Sequence, residues 1–318
     1  MILVTGGSGF IGSHLLERLS ALGTPARALL RRKLNLAPGV EAATGDLATG
    51  DGLEAALRGV STVIHLAGIT KALSPQDYYT GNVRASERLA RAAAGRDIRF
   101  VHVSSLAAAG PALDGVPVTE DSTPHPITHY GKSKLEAEQA VRAILPSAVI
   151  VRPPVVYGPR DKDVFRLLKS VSQGLVLEIS GGERWFSSIY AGDLVDALLA
   201  AAHSPQAPGR TYFTAHAKPS TWRDLGAAAA RIMSRRPVRL CIPIPIAYAI
   251  GGCAEIWSRL TATPGILSRE KIAEARCPSW VCDTRRAAAE LGFIAQTSLE
   301  TGLAHTLAWY REAGWIKY

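Results

Sequence analysis

An apolar strand that ends in a glycine run and opens straight into an amphipathic helix leaves a chain few folds to choose from. Here Ile2-Leu3-Val4 leads into Thr5-Gly6-Gly7-Ser8-Gly9-Phe10-Ile11-Gly12. Gly7, Gly9 and Gly12 satisfy the spacing Gly-x-Gly-x-x-Gly. That spacing permits a tight turn and lets backbone N–H groups approach a pyrophosphate at the helix N-terminus. A lone glycine pattern is weak, but its place on the first strand favours dinucleotide binding over a merely structural turn. Gly6, Gly9, Phe10, Ile11 and Gly12 are therefore expected to contact the cofactor.

The N-terminal half continues the theme. Short apolar runs at 1–5, 26–30, 40–44, 62–66, 98–104 and 147–152 suit strands buried on both faces, and helical patterns at 10–22, 82–95 and 129–145 lie between them. This alternation predicts an α/β fold with a Rossmann-type doubly wound parallel sheet over residues 1–153. Beyond Arg152-Pro153-Pro154, proline, glycine and polar clusters multiply, at Tyr157-Gly158-Pro159, Ser180-Gly181-Gly182, Ser204-Pro205 and Lys218-Pro219. Residues 154–318 are expected to form mainly a smaller, substrate-binding α/β lobe, with some segments returning to the first domain. Its helices are placed near 163–173, 191–203, 221–234, 245–260 and 298–311.

With 47% hydrophobic and 20% charged residues, the chain has the make-up of an ordinary globular protein with a sizeable core. The net charge of +9 would suit an anionic substrate, a membrane surface or nucleic acid. The basic residues are scattered, with no basic tract interleaved with aromatics and no helix-turn-helix pattern, so nucleic acid is not an expected partner. Cys241, Cys253, Cys277 and Cys282 lack paired metal-ligand spacing, and no metal site is expected. Met1 runs directly into the first strand without a basic leader, which makes the cytoplasm the expected location.

The residues after the second strand bear on cofactor choice. An acid about twenty residues past the fingerprint would bind the ribose hydroxyls of NAD, whereas arginine can accept the 2′-phosphate of NADP. Leu30-Arg31-Arg32-Lys33 carries no acid before Glu41, so Arg31 and Arg32 favour NADP(H) over NAD(H), a solvated basic turn being the alternative. Asp46 and Leu47 follow the third strand, where Asp46 would either accept from the adenine amino group or cap the next segment. His65-Leu66-Ala67-Gly68 closes the fourth strand. Small residues there would let the ribose lie on the backbone near Leu66, Ala67 and Gly68, with His65 a core residue.

Tyr130-Gly131-Lys132-Ser133-Lys134 carries the chemistry. A spacing of four puts Tyr130 and Lys134 on one helix face, where the ammonium would favour the phenolate of a group whose ordinary pKa is about 10. Ser105, in Val103-Ser104-Ser105, would project from the carboxyl end of a strand, where ligands bind in such sheets. Ser104 is the alternative hydroxyl. Together with the glycine run, these motifs resemble the extended short-chain dehydrogenase/reductase family over essentially the whole chain, through Arg152-Pro153-Pro154-Val155-Val156-Tyr157-Gly158-Pro159 to Trp309-Tyr310.

The resemblance implies that Tyr130 is the general acid/base, that Lys134 lowers its pKa and holds the nicotinamide ribose, and that Ser105 donates to the substrate oxygen. Asn82 loosely matches an asparagine of a proton relay in some relatives. It joins Pro153 and Val156 among the cofactor-binding residues, with Tyr157 on the substrate side. The resemblance also implies a homodimer through 82–95 and 129–145.

Leu106-Ala107-Ala108 follows Ser105 where related dehydratases carry an acidic pair, which disfavours dehydration and leaves hydride transfer at a secondary alcohol or ketone. The apolar segment from Cys241 to Trp257, with the helix at 271–275 and Ser279-Trp280-Val281, is similar to the 3β-hydroxysteroid dehydrogenase and dihydroflavonol reductase branch. A cyclic apolar substrate is therefore expected. By itself that segment is too interrupted to span a bilayer, and would be a packing helix or a weak peripheral membrane contact. The alternative enzyme is an NDP-sugar epimerase or reductase in which Arg160 and Arg184 clamp a diphosphate beside Trp185. A dinucleotide sensor without catalysis is the remaining class, though such relatives typically lose the Tyr/Lys pair.

Overall fold

The apolar runs of the first half pair into one parallel sheet. The structure, a computed structural model, describes all residues except Lys33, Pro264, Ile266 and Leu267, so the Lys33 end of the basic turn lies outside the described residues. Six strands come from the first half: β1 (Ile2–Thr5), β2 (Ala26–Leu30), β3 (Val40–Thr44), β4 (Thr62–His65), β5 (Arg99–Val103) and β6 (Val149–Arg152). The expected strand ranges hold to within two residues at each end. A seventh strand, Thr211–Phe213, pairs with β6, giving the order Thr211–Phe213, β6, β5, β4, β1, β2, β3. The sequence reading missed it because three residues carry no periodicity.

Leu3, Val4, Val63, Ile64, Val101 and Val149 to Val151 have no exposure, because helices cover both faces. On one face α1 (Phe10–Ala21) packs Leu15, Leu16 and Leu19 into the same core as Leu194, Val195 and Leu198 of the helix Ala191–His203. The short α2 (Leu53–Ala56) and α3 (Pro75–Tyr78) precede the two helices of the other face, α4 (Ala85–Ala93) and α5 (His129–Ile144). Leu89, Ala90, Ala93 and Val141 of those helices meet Leu3, Val63 and Phe100. The helix expected at 82–95 is thus shorter, and a π-helical turn, Tyr79–Arg84, leads into it.

Strand order reverses between β1 and β4, and the crevice at such a switch point is where doubly wound sheets take their ligands. The later chain builds a second core around Leu168, Val171, Phe186, Leu225, Leu303, Leu307 and Tyr310. Small sheets frame it: Val155–Tyr157 beside Ser188–Tyr190, Leu175–Ile179 beside Val238–Ile242, and Trp185–Phe186 between Ser220–Thr221 and Ser279–Trp280. Because Ala191–His203 and Thr211–Phe213 belong to the main sheet and its cover, the chain crosses back over position 153 before finishing the lobe.

Of the alternatives for the segment at 245–260, the helix Ile244–Leu260 does not match a packing helix. It buries only Ala247, Gly251 and Gly252, while Ile246, Ile250, Ile256, Trp257 and Leu260 are exposed. Among the described residues no helix is long and apolar enough to cross a membrane.

Candidate active site

The glycine turn forms a cradle that only backbone lines. A Cβ on Gly12 would sit 2.1 Å from the Gly6 carbonyl oxygen, and one on Gly6, at φ +73°, would sit 2.8 Å from the Ala67 nitrogen. Side chains are therefore excluded where β1, α1 and the exit of β4 converge. The first turn of α1 carries no acid and Gly9 gives no side-chain cap, so its N–H groups would meet an anion unopposed. These features fit a dinucleotide pyrophosphate. Phe10 and Ile11 are half-buried at the same turn, and Arg31 and Arg32 are exposed at the end of β2.

At the exit of β4, the Leu66 nitrogen donates to the Thr5 carbonyl and the Ala67 nitrogen to Thr5 Oγ1. Asp46 accepts from the Ala48 nitrogen at 2.8 Å, so one of its oxygens serves as a local cap; Leu47 packs against the core beneath β3. His65 is wholly buried, 2.6 Å from Thr5 Oγ1 and 2.9 Å from Ser86 Oγ. Burial, with the Lys134 charge, drops its pKa to about 3, so the ring is a neutral packing group.

The catalytic helix is held at close range. Thr128 caps α5 by accepting from the Gly131 nitrogen. A Cβ on Gly131 would lie 2.3 Å from the Ala107 carbonyl oxygen, so glycine at this position is what lets α5 seat on the turn after β5. That seating brings Tyr130 to Ser105. The Ser105 hydroxyl caps the same turn, accepting from the Ala107 nitrogen at 3.2 Å.

Tyr130 is half-buried, and its phenol is pushed up to about 12, first by loss of hydration. A side-chain hydrogen bond with Ser105 opposes that rise, while the charges of Glu274 and Asp163 add to it. The Lys134 ammonium is turned instead to the Val103 carbonyl, at 2.7 Å. The expected lowering of the Tyr130 pKa by Lys134 is therefore not seen, because burial dominates and the ammonium is engaged on β5. Lys134 is itself brought down to about 8 by burial, with Glu138 resisting.

Asn82 lies in the π-helical turn and is 1% exposed. Its amide accepts from the Ile69 nitrogen and donates to the Ile69 carbonyl and to Ser133 Oγ, tying the β4 exit to α5. Gly68 sits between them: a Cβ there would lie 2.9 Å from Asn82 Oδ1 and 3.9 Å from Lys134 Nζ.

Other expected site residues are placed elsewhere. Ser104 is buried and donates to Glu138, so the strand alternation turns it away from Ser105. Tyr157 is 2% exposed in the second core, its hydroxyl reaching the Ser298 carbonyl. Arg160 donates to Ser13 Oγ and to Glu17, both on α1, at 2.7 Å. Arg184 is spent on the carbonyls of Ile179, Ser180 and Gly182 in its own loop. Trp185 is exposed on the strand beside Ser279. Pro153 and Val156 follow β6, with the Pro153 carbonyl accepting from the Leu106 nitrogen.

Two groups escaped the sequence reading. Glu138 accepts from Arg152 through both oxygens, at 2.9 and 2.6 Å, with both side chains about 5% exposed or less. Tyr130, Lys134 and Glu138 share a spacing of four, and that stripe was the signal available. The helix Arg269–Arg276 brings Glu270 to the His129 nitrogen and Glu274 to Thr128, two carboxylates at the N-terminus of α5. Its Lys271 ammonium lies 5.8 Å from the Tyr130 ring centre.

This sheet and its Tyr-Lys-Ser constellation define an extended short-chain dehydrogenase/reductase. A model of the NAD dependent epimerase/dehydratase family matches residues 2–213, and the chain belongs to that family. It is 32% identical to the ceramide reductase of Caulobacter vibrioides over 99% of this chain and 96% of that one. It is 26% identical to the N-acetyl-alpha-D-glucosaminyl-diphospho-ditrans,octacis-undecaprenol 4-epimerase of Escherichia coli O157:H7, covering 96% and 94%. Among solved structures, MoeE5 in complex with UDP-glucose and NAD superposes with a TM-score of 0.77 at 28% identity, over 98% of this chain and 99% of that one.

Proposed function

We propose that this protein is a nicotinamide-dependent ketoreductase acting on a ketone carried by a large apolar body. The observation that carries the reading is the Tyr130–Ser105 pair on the seated α5, with the phenol held protonated near pH 7. A phenol beside Ser105 can pass a proton to a carbonyl oxygen as that carbonyl is reduced. The Gly6-to-Gly12 turn would hold the pyrophosphate, Gly68 and Lys134 the nicotinamide ribose, and Arg31 and Arg32 a 2′-phosphate. When bound, the nicotinamide supplies the hydride. Ser105 and Tyr130 would orient the carbonyl oxygen by hydrogen bonding, and Tyr130 would pass its proton to that oxygen as the alcohol forms.

The apolar substrate is supported by one fact: Arg160 and Arg184, the candidates for a diphosphate clamp, are both occupied by protein partners. The cavity of about 250 Å³ beside His129 and Tyr78 mixes Ala72, Leu73 and Pro75 with Glu255, Arg259 and Glu270 and so favours neither substrate class. The likeness to a ceramide reductase agrees with a long-chain lipid ketone, and the steroid- or flavonoid-like ring that the family resemblance suggested is the second candidate. Contact with a lipid surface belongs to the same reading, since such substrates reside there. The homodimer through α4 and α5 rests on the family resemblance, and light scattering decides it.

The test is nicotinamide absorbance with NADPH or NADH on three panels: long-chain acyclic ketones, cyclic apolar ketones and NDP-sugars, with product analysis. Oxidation of the cofactor by an apolar ketone is the expected result. Isomerisation of a sugar at constant absorbance would establish an epimerase, and tight cofactor binding without turnover a sensor; either overturns the proposal. Replacing Arg31 and Arg32 by Ala should raise KM for NADPH about tenfold and leave NADH unchanged.

A further inference from the structure

The His65 ring, neutral and packed, is also the middle of a chain of hydrogen bonds shut away from water. Thr5, His65 and Ser133 have no exposure, and Ser86 and Asn82 have 1% each. These five side chains come from β1, β4, α5, α4 and the π-helical turn. No solvent can replace a missing partner here, so the position of each proton follows from its neighbours.

Only one arrangement satisfies them all. Ser86 Oγ donates to the Asn82 carbonyl at 2.6 Å, and a carbonyl can only accept, so the single hydroxyl proton is committed and Ser86 must accept from His65 Nε2. With one proton on the neutral ring, Nδ1 is bare and accepts from Thr5 Oγ1, which itself accepts from the Ala67 nitrogen. The pattern continues through Asn82. Ser133 Oγ donates to the Tyr130 carbonyl at 2.7 Å and so accepts from the Asn82 amide nitrogen at 2.9 Å, whose other proton goes to the Ile69 carbonyl. The chain has no branch onto β5. His102 stands beside His65 in the sheet, with ring centres 5.3 Å apart, and neither of its nitrogens has a partner among the described residues. Burial and the Lys134 charge keep both rings neutral.

We propose that His65 is a positioning residue, held as the Nε2–H tautomer, that closes a one-way hydrogen-bond chain from the Ala67 N–H to the Tyr130 carbonyl. One end is the cofactor crevice, where Ala67 backs the Gly6 turn; the other is the first turn of the helix that presents the phenol to Ser105. The chain fixes the spacing between the two. Every link donates in the same sense, so the bonds polarise one another and a break at one end is felt at the other. The effect on turnover rests on the reductase reading, whereas the tautomer and the coupling do not.

The experiment joins three readouts on the full chain. Long-range proton–nitrogen correlation of the histidine rings, with the His65 signals identified by their loss in His65→Gln, should show a proton on Nε2 and a bare Nδ1 from about pH 5 to 9. Hydrogen exchange then compares the protein with Thr5→Val, which removes the hydroxyl and keeps the shape. Faster exchange is expected at 65–69 and also at 129–134 on α5, and Thr5→Ser should restore both. Should Thr5→Val fail to fold, Ser86→Ala breaks the next link and takes its place. In the reduction assay the broken chain should lower kcat about tenfold, with KM for the ketone within about twofold. Adding Ser133→Ala should lower kcat little further, because one unit has already been broken. A proton on Nδ1, a His65 ring that charges in that pH range, exchange altered at 65–69 alone, or losses that multiply in the double variant would each overturn the inference. The expected tautomer and remote exchange in a protein that reduces no ketone would keep the inference and sink the reductase reading.

Discussion

Helix α5 and the helix Ile244–Leu260 are nearly the same length, at 16 and 17 residues, and treat burial in opposite ways. The first buries Ser133, Lys134 and Glu138. The second buries alanine and glycine and leaves its large aliphatics in solvent. Taking a charge out of water costs several kcal/mol unless partners meet it, and on α5 they do: Val103 for Lys134, Arg152 and Ser104 for Glu138. Leaving a large aliphatic exposed forgoes about 1.5–3 kcal/mol per side chain. Buried charge gathers on the helix that carries Tyr130, and exposed hydrocarbon on the helix Ile244–Leu260.

The largest effect should come from the buried side. Tyr130→Phe is expected to lower turnover about 10²- to 10⁴-fold with cofactor affinity unchanged, read by steady-state kinetics beside a binding titration. Turnover that survives the change would remove the proton role from α5. Next, Glu138→Gln should cost about 3–5 kcal/mol in urea unfolding, because it strands the Arg152 guanidinium. Replacing Glu138 and Arg152 together by Leu should recover most of that loss, whereas an equal loss would mean that the pair is not coupled.

The pH dependence follows from two shifts of opposite sense. Lys134 titrates at about 8 in the fold against 10.5 ordinarily, so between those values the unfolded chain holds a proton that the fold has released. Stability from this group therefore rises with pH across that window. Tyr130 runs the other way: raised from 10.0 to about 12, it holds its proton longer when folded, so its contribution is lost as pH climbs between those values. Urea midpoints should rise above pH 8 and fall above pH 10, and Lys134→Met should flatten the rise. The smallest effect belongs to the other helix. Ile250→Asp should change stability in lipid-free solution by no more than about 0.5 kcal/mol, and a loss as large as that of Glu138→Gln would erase the contrast between the two helices.

What could be read along the chain was whatever a short spacing encodes. The glycine fingerprint, the alternation of strands and helices, and the spacing of Tyr130 and Lys134 are local patterns. Periodicity ties them to one turn or one face before any packing occurs. Asn82 was a loose match whose contacts with Ile69 and Ser133 became visible only with the fold. The partnerships lay beyond such reading. Arg160, a diphosphate candidate only in the alternative sugar-nucleotide reading, is paired with Glu17, 143 residues away; Glu138 of α5 accepts from Arg152 at the end of β6.

Sequence alone thus determined a doubly wound nucleotide fold with a tyrosine and a lysine four apart on one helix and a serine just after a strand, because hydrophobic period and glycine geometry act over a few residues. Only the tertiary structure decided that Lys134 turns to β5, that the candidate diphosphate arginines are occupied, and that the apolar side of Ile244–Leu260 faces out. Those outcomes depend on which distant groups arrive at each surface. A charge settles on the partner that packing brings to it, and an apolar helix face is buried only if some other element reaches it first.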